Sequence, residues 1–328
     1  MIISRTPFRV SFIGGGSDLE SYYKYNGGAV ISSSINKYIY QSAHHYFEKD
    51  QFLIKYSKTE LVKNINEIKH PIIKNVFSRF DINQIDYNST ADIPSGTGMG
   101  SSSSFTVGLI NLCSEIKGLS MSKKEMAQLA SDIEINDLRE PIGKQDQFAA
   151  SYGGLNLIKF KSNGETEVTP INLTLDQRNQ LNGELRLFYT GIRRSASSVL
   201  NDQKSKMENI DKRRIIDEMV NMVYDLSAEF KCGRICELGN ILHEGWKLKQ
   251  SISQKISTLE INDIYNSGLK AGATGGKLLG AGAGGFVLFY VPQENTDLFN
   301  SKFNSLKEYP FELDYSGTQI IYNNEKQY

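Results

Sequence analysis

The stretch from Asp92 to Phe105, DIPSGTGMGSSSSF, combines glycine and serine in a pattern suited to binding an anion. Its glycines alternate with other residues and can adopt positive φ angles, so that several backbone N–H groups point to one place. Four serines follow and lead into FTVGLINLCSEIKG, which has the apolar pattern of a buried helix. A helix that begins at the serines adds free N–H groups and the positive end of its dipole. We therefore predict a phosphate-binding loop, and a nucleotide phosphate is the expected anion.

This loop matches neither of the two common phosphate-binding motifs. A P-loop needs a lysine and then Ser or Thr after its second glycine, and no lysine follows Gly100. The stretch GATGGK, from Gly272 to Lys277, is one residue too short and is followed by Leu278. The dinucleotide fingerprint fails because GTGMGS lacks the third glycine at the right spacing, and no acidic ribose ligand follows a second strand. The alternative is a glycine-serine linker, but a linker would not begin with Ile-Pro or lead into an apolar helix.

Composition excludes several classes of protein. The chain has 328 residues, enough for two domains with real cores. Lys plus Arg equals Asp plus Glu, 37 each, so no overall charge favours nucleic acid or an acidic membrane. We find no run of 18 apolar residues, and the N-terminus MIISRTPFRV does not resemble a signal peptide. Three cysteines, Cys113, Cys232 and Cys236, with no zinc-site spacing, predict reduced thiols in a cytoplasmic protein.

The order of predicted elements indicates an α+β protein in two parts. Residues 2–13 alternate as a strand that ends at Gly14–Gly16, and NGG then leads into two further strands, AVISSSI and YIYQSAHHYF. Composition shifts between residues 170 and 185, so we divide the chain into an N-terminal domain, 1–175, and a C-terminal domain, 176–328. The second part begins with the strand GELRLFYTG, continues with several helices, and contains the glycine-rich stretch GGKLLGAGAGG before the buried strand FVLFYV.

Three glycine-rich stretches in this order resemble the motifs of the GHMP kinase superfamily. They read TPFRVSFIGGGSD, IPSGTGMGSSSS and KLLGAGAGG, and they span nearly the whole chain. The resemblance implies a ribosomal-protein-S5-like N-terminal domain with a left-handed crossover, a ferredoxin-like C-terminal domain, and an active site in the cleft between them. It also implies ATP and Mg²⁺ as cofactors. The residues implied to bind ATP are Pro94, Ser95, Gly96, Thr97, Gly98, Met99, Gly100, Ser101, Ser102 and Ser103.

Within the superfamily, FIGGGSDL followed by NGGAVISSSINKYIY resembles the branch that phosphorylates the anomeric hydroxyl of a heptose 7-phosphate. The expected partners are therefore a small sugar phosphate and ATP, in a monomer or homodimer. Two alternatives stay open: a kinase of another sugar such as fucose or galactose, and a non-catalytic sensor of sugar and nucleotide. Retention of Arg9, Ser102 and Asp146 argues against the sensor.

The resemblance assigns catalytic roles to Asp146 and Arg9. Asp146, in GKQDQ, corresponds to the catalytic aspartate, and its carboxylate could accept the proton of the acceptor hydroxyl or orient that hydroxyl. Arg9 corresponds to the basic residue of the first motif and would favour the ionised carboxylate. A surface or helix-capping aspartate and a structural arginine are the alternatives.

The same resemblance implies Ser102 and Glu134 as magnesium ligands. The interval from Glu134 to Asp146 is one residue longer than in mevalonate kinases, so Asp137 or Glu140 could replace Glu134. The substrate-binding residues are expected after the first glycine turn, in the Arg pair before a helix N-terminus, and in the third motif. They are Gly15, Gly16, Ser17, Asp18, Arg193, Arg194, Lys277 and Gly282. We predict that KQSISQK, residues 249–255, is an ordinary polar helix end.

Overall fold

A computed structural model describes residues 1–192, 196–206, 209–282 and 284–324, without the side chains of 196–198, 203 and 204. Its larger sheet has eight strands in these residues, and all pairs are antiparallel except β3 with β5. The order is β11-β1-β2-β5-β3-β4, and β6 adds to β2 and β7 to β6. The strands are β1 Ile2–Ile13, β2 Gly28–His45, β3 Phe52–Lys55, β4 Thr59–Val62, β5 Ile85–Ala91, β6 Leu155–Phe160, β7 Thr166–Pro170 and β11 Gln319–Asn323.

The second sheet has the order β8-β10-β9 and is antiparallel. Its strands are β8 Leu185–Tyr189, β9 Gly275–Leu278 and β10 Phe286–Tyr290. The helices are α1 Glu20–Asn26, α2 Pro71–Arg79, α3 Ser101–Ile116, α4 Lys123–Ser131, α5 Gln145–Tyr152, α6 Leu175–Glu184, α7 Ala196–Lys206, α8 Ile210–Lys231, α9 Glu237–Ile252, α10 Leu259–Lys270 and α11 Thr296–Lys302.

One hydrophobic core joins the two sheets. Phe8 and Phe12 of β1 belong to the same buried cluster as Trp246 of α9 and Phe289 of β10. A second buried cluster includes Val107 and Leu112 of α3. The α+β class is confirmed, and no helix in the described residues is long and apolar enough to cross a membrane. Because β1 runs through this core, it holds the first glycine turn and Arg9 in fixed positions.

Strand β2 is continuous where the sequence predicts two strands. Its pairing with β1 slips between Pro7–Tyr38 and Phe8–Ile35, so two residues of β2, Asn36 and Lys37, have no partner in β1. This bulge lies where the apolar alternation is interrupted, which explains the predicted break. The long strand gives one edge to both β6 and β5.

Two features of the second half differ from the sequence prediction. Helix α6 lies where we predicted only a change of composition; it begins with a capping box between Thr174 and Gln177. The final strand β11 pairs with β1 in the larger sheet, so the chain returns to its first half. The division into domains at residues 175 and 176 remains a prediction, and it assigns β11 to the C-terminal domain although β11 pairs with β1 of the N-terminal domain.

Candidate active site

Arg9 and Asp146 form a bidentate ion pair between β1 and the first turn of α5. The Arg9 Nε and Nη2 atoms each donate to a different carboxylate oxygen of Asp146 at 2.7 Å. Arg9 is 4% exposed, whereas the Asp146 side chain is 22% exposed. Two parallel hydrogen bonds fix the carboxylate plane as well as its position. Asp146 is therefore held rigidly and still reaches the cavity.

Arg9 also ties this pair to the predicted phosphate loop. Its Nη1 donates to the Gly98 carbonyl at 2.6 Å, and its backbone N donates to the Met99 carbonyl at 3.2 Å. Gly96, Gly98 and Gly100 have φ angles of 76°, 80° and 75°, in the region that favours glycine. Gly100 directly precedes the N-terminus of α3. The loop thus has the conformation expected of a backbone anion site.

Most of the predicted ATP residues face one cavity. The wall includes Ser95, Gly96, Gly98, Gly100, Ser101, Ser102 and Ser103. Pro94, Thr97 and Met99 are not in this wall. Thr97 donates from its hydroxyl to the Pro94 carbonyl, which closes the turn, and Met99 is fully buried. These three residues support the conformation of the loop without facing the cavity.

The third glycine-rich stretch packs directly on the phosphate loop. A side chain at Gly98 would lie 2.5 Å from the Leu279 carbonyl oxygen, and one at Gly280 would lie 2.5 Å from the Gly98 Cα. The two backbones therefore touch, which only glycine allows. Gly282 also lines the cavity.

Ser102 and Glu134 are in direct contact. The Ser102 hydroxyl donates to Glu134 Oε1, and Gln147 Nε2 donates to Oε2 at 2.6 Å. Burial raises the pKa of the Glu134 carboxyl, the hydrogen bonds from Ser102 and Gln147 partly oppose this, and the charge of Asp146 adds to the rise. The site therefore contains a buried carboxylate that a cation would stabilise.

A π-helical turn, Asp132–Asp137, precedes Asp146, and Glu134 is buried within it. Such a turn takes more residues than an α-helical turn. Asp137 faces away, where it pairs with Arg79 at 2.5 Å. Glu140 lies in the cavity wall but is exposed. Of the three candidate carboxylates, Glu134 alone bonds to Ser102 within the described residues.

The first glycine turn contributes Gly15, Gly16 and Asp18 to the cavity wall. Asp18 accepts hydrogen bonds from the backbone N–H groups of Gly16 at 3.0 Å and Gln145 at 3.4 Å. Burial, and then the charge of Asp146, raise the pKa of Asp18, and these N–H groups oppose the rise. Ser17 does not line the cavity: its buried hydroxyl bonds to the Ala29 carbonyl. Its predicted contact with substrate does not fit this position.

Two polar side chains of the same wall were missed in the sequence. Ser11 Oγ and Gln145 Oε1 are buried and have no hydrogen-bond partner among the described residues. Buried polar atoms are rarely left unpaired, so such atoms in a cavity wall indicate a polar ligand. Ser11 follows Arg9 by two positions on β1 and so lies on the same face, which is the signal that could have identified it.

Lys277 and Lys249 are buried in the wall at the third glycine-rich stretch. Lys277 was predicted, and its Nζ donates to the Phe12 carbonyl at 3.0 Å. Lys249 was predicted to be part of a polar helix end, which is wrong. It follows Leu242 and Trp246 on the buried face of α9, and this position was the signal that sequence reasoning overlooked. Arg193 and Arg194 lie outside the described residues.

The cavity has a volume of about 410 Å³. Three cations, Arg9, Lys249 and Lys277, and four carboxylates, Asp18, Glu134, Glu140 and Asp146, line it. Apolar side chains also line it, among them Pro71, Ile72, Leu138 and Leu200. This arrangement suits a ligand with both phosphate and apolar parts.

Comparison of the sequence with protein-family models agrees with the fold and the candidate site. The family model described as GHMP kinases N terminal domain matches residues 53–154, and the one described as GHMP kinases C terminal matches residues 225–300. Together they cover more than half of the chain. The chain belongs to the GHMP kinase family, which confirms the resemblance seen in its three motifs, and it is a kinase.

Individual relatives agree with this assignment. The chain is 29% identical over 336 residues to D-glycero-alpha-D-manno-heptose 7-phosphate kinase of Campylobacter jejuni, with 97% of both chains covered. It is 24% identical to the galactokinase of Pyrococcus furiosus, over 89% of this chain and 90% of the relative. A solved structure called a D-glycero-D-manno-heptose 1-phosphate kinase from Bacteriodes thetaiotaomicron superposes with a TM-score of 0.81 at 23% identity. It covers 98% of this chain and 100% of its own, and at this identity it supports the fold alone.

Proposed function

We propose that this protein transfers the γ-phosphoryl group of ATP to the C1 hydroxyl of D-glycero-D-manno-heptose 7-phosphate. The products are heptose 1,7-bisphosphate and ADP, an early step toward nucleotide-activated heptose for surface polysaccharide. The observation that carries the proposal is the Arg9–Asp146 pair, which is hydrogen-bonded to the phosphate loop through Gly98. The full-length relative named as a heptose 7-phosphate kinase supports the choice of acceptor.

The pair suits an in-line phosphoryl transfer. The acceptor oxygen attacks the γ-phosphorus, the bond from that phosphorus to the bridging oxygen breaks, and ADP leaves. Asp146 takes the proton of the acceptor hydroxyl, since its carboxylate is the exposed member of the pair. Arg9 holds that carboxylate in position and places positive charge beside the oxygens of the transferring group.

The phosphate loop is proposed to hold ATP. Its glycine backbone and the N-terminus of α3 supply N–H donors to the phosphates. The apolar side of the cavity, including Pro71 and Ile72, would receive the adenine.

The donor set at Ser102 and Glu134 fits Mg²⁺. A hydroxyl and a carboxylate are hard oxygen ligands, and Mg²⁺ in kinases uses few of these together with phosphate oxygens and water. Burial raises the pKa of Glu134, so a bound cation would stabilise its ionised form. When bound, Mg²⁺ supplies positive charge that offsets the charge of the phosphates.

The acceptor is proposed to lie against the first glycine turn. Asp18, which is fixed by the N–H groups of Gly16 and Gln145, would accept hydrogen bonds from sugar hydroxyls. Lys277 and the backbone at Gly15 and Gly282, which line the same cavity, are proposed to contact the acceptor as well. Arg193 and Arg194 remain proposed contacts for the acceptor phosphate.

The test is ADP release from magnesium-ATP with a panel of acceptors. The panel contains D-glycero-D-manno-heptose 7-phosphate, mannose 6-phosphate, and the neutral sugars mannose, fucose and galactose. We expect the highest kcat/KM with the heptose 7-phosphate. Fastest turnover of a neutral sugar would refute the proposed acceptor, and no turnover of any acceptor by protein that still binds nucleotide would refute catalysis.

A further inference from the structure

Lys249 is a buried cation on which the charges of Asp18 and Asp146 act, but it forms no ion pair with either carboxylate. Its side chain lies in the cavity wall, the residue is 5% exposed, and its Nζ donates to the Gly280 carbonyl at 2.5 Å. No ion pair between described residues includes it. Lys247, two residues earlier on the same helix, is exposed and pairs with Glu244 at 3.0 Å. The difference shows that Lys249 is not simply one of the charges on the surface of α9.

Lys277 repeats this arrangement on the neighbouring strand β9. It is 4% exposed, and its one hydrogen bond within the described chain goes to the Phe12 carbonyl. Burial lowers the pKa of Lys277 well below its usual value, and the charges of Lys249 and Arg9 lower it further. The positive charges of Arg9, Lys249 and Lys277 are thus close enough to repel one another.

Burial of an unpaired charge is costly, and proteins usually compensate for it with a counter-ion or a ligand. An ammonium group has three N–H donors. Each of these two lysines uses one donor on a backbone carbonyl, which leaves two directed elsewhere. Both lie in the wall of one cavity, and the carboxylates of that wall form no ion pair with either lysine, so the free donors suit an anion that enters this cavity.

The position of Lys249 relates this anion to the catalytic pair. Its partner, Gly280, packs on Gly98, and the Gly98 carbonyl accepts a hydrogen bond from Arg9. Lys249 is therefore connected to Arg9 through the backbones of Gly280 and Gly98, and an anion bound to Lys249 would lie near the Arg9–Asp146 pair.

We propose that Lys249 is a phosphate-binding residue that, with Lys277, holds a phosphate group at the part of the cavity wall formed by α9 and β9. The proposal rests on the proposed function only in that the cavity takes phosphorylated substrates. The phosphate is either the group transferred from ATP or the one that the acceptor already carries. Both share the same chemistry, a tetrahedral dianion that two ammonium groups can bind.

The test uses inorganic phosphate as the probe and needs no turnover. Orthophosphate is titrated into the wild-type protein and into the variants Lys249→Gln, Lys249→Arg and Lys247→Gln, with binding followed by calorimetry and by the thermal midpoint. We expect Lys249→Gln to weaken phosphate binding by about tenfold or more, Lys249→Arg to retain much of it, and Lys247→Gln to match the wild type. Lys249→Met, a second neutral variant, guards against a folding defect peculiar to glutamine, and ADP binding checks that each variant is folded.

Two further titrations identify the source of the phosphate. If it is the transferring group, Lys249→Gln loses affinity for a non-hydrolysable ATP analogue but not for ADP. If it belongs to the acceptor, Lys249→Gln loses affinity for the phosphorylated sugar and not for its neutral counterpart. Either pattern supports the proposal.

Equal phosphate affinity in the wild type and in folded Lys249→Gln would overturn the inference, as would absence of phosphate binding to the wild type at tens of millimolar. Because this assay measures binding alone, an absence of heptose phosphorylation would not contradict the inference about Lys249. Conversely, an absence of phosphate binding to Lys249 would not contradict the catalytic role proposed for Asp146.

Discussion

Replacement of Lys249 by methionine should preserve or increase stability at neutral pH in the absence of ligand. Burial, and next the charge of Arg9, lower the pKa of Lys249 from 10.5 to about 8, although Asp18 and Asp146 act in the opposite direction. A tenfold change in an acid constant is worth about 1.4 kcal/mol, so this depression corresponds to roughly 3 kcal/mol that the folded protein loses by keeping the ammonium charged. Methionine is similar in length and removes this cost. It also removes the hydrogen bond to the Gly280 carbonyl, whose loss costs about 1–3 kcal/mol.

The net expectation at pH 7 is that Lys249→Met lies between equal stability and a gain of about 2 kcal/mol. Most substitutions of a buried side chain lower stability, so the direction of the effect is informative. A residue that destabilises the free protein is expected where its charge serves a ligand.

The effect of pH has a defined sign. Below pH 8 both the folded and the unfolded states carry the proton on Lys249, and the folded state bears the full penalty. Between pH 8 and pH 10.5 only the unfolded state binds this proton, so the free energy of unfolding of the wild type rises with pH in that window. Relative to Lys249→Met, the wild type should gain about 2 kcal/mol by a pH of about 9.5.

Urea unfolding of both proteins at several pH values between 7 and 9.5 measures this difference, and titrating groups that do not interact with Lys249 cancel in the comparison. Lys247→Met is the matched control and should show no such trend, because Lys247 is exposed. A Lys249→Met protein that is more than about 1 kcal/mol less stable than the wild type at pH 7, by a margin that does not change with pH, would refute the reasoning.

Two further predictions concern the phosphate loop and the metal ligands. Gly98→Ala should lower nucleotide affinity and the thermal midpoint, because the new Cβ would lie 2.5 Å from the Leu279 carbonyl oxygen. Gly96 has a similar φ, but a Cβ there would have no atom of the described chain within 4 Å apart from its adjacent residues, so Gly96→Ala should lower the free energy of unfolding by only about 1 kcal/mol. Similar losses in both variants would show that close packing does not shape the loop. Glu134→Gln should raise the Mg²⁺ concentration needed for half-maximal activity by about tenfold or more, whereas Asp137→Asn, on the same π-helical turn, should leave it unchanged. A larger effect of Asp137→Asn would transfer the ligand role to that residue.

Much of the candidate site could be predicted because it depends on local patterns. Glycines at a loop that precedes a helix identify an anion site without any knowledge of the tertiary structure. The residues at Arg9 and Asp146 were found through the resemblance of their surrounding motifs, and the structure then places them in contact. Motif order therefore carried information about a contact between residues 137 positions apart.

The rest depends on packing that the sequence does not display. Ser17 follows the glycine turn as substrate-binding residues do, yet its hydroxyl turns inward to Ala29. Lys249 reads as a solvated lysine unless the buried face of α9 is traced through it. The extra residue before Asp146 left Asp137 and Glu140 as alternatives to Glu134, and it is the contact of Glu134 with Ser102 that distinguishes it from them.

One helix and one strand pairing were missed for similar reasons. Helix α6 buries only Leu181 and Glu184, so it lacks the apolar periodicity that marks a helix. Its capping box was the available signal. The return of β11 to β1 pairs residues more than 300 positions apart, and no local pattern encodes such a pairing.

The most direct test of the central claim is to find where the transferred phosphate resides and whether Asp146 is needed to place it there. Magnesium-ATP and D-glycero-D-manno-heptose 7-phosphate are incubated with the wild type and with Asp146→Asn, and the products are followed by ³¹P NMR. The account predicts a new phosphate resonance coupled to the anomeric proton in the wild type. It also predicts a kcat lower by about a hundredfold or more in Asp146→Asn, with ATP binding retained. Phosphate on any other oxygen, or an Asp146→Asn protein that keeps most of its turnover, would contradict it.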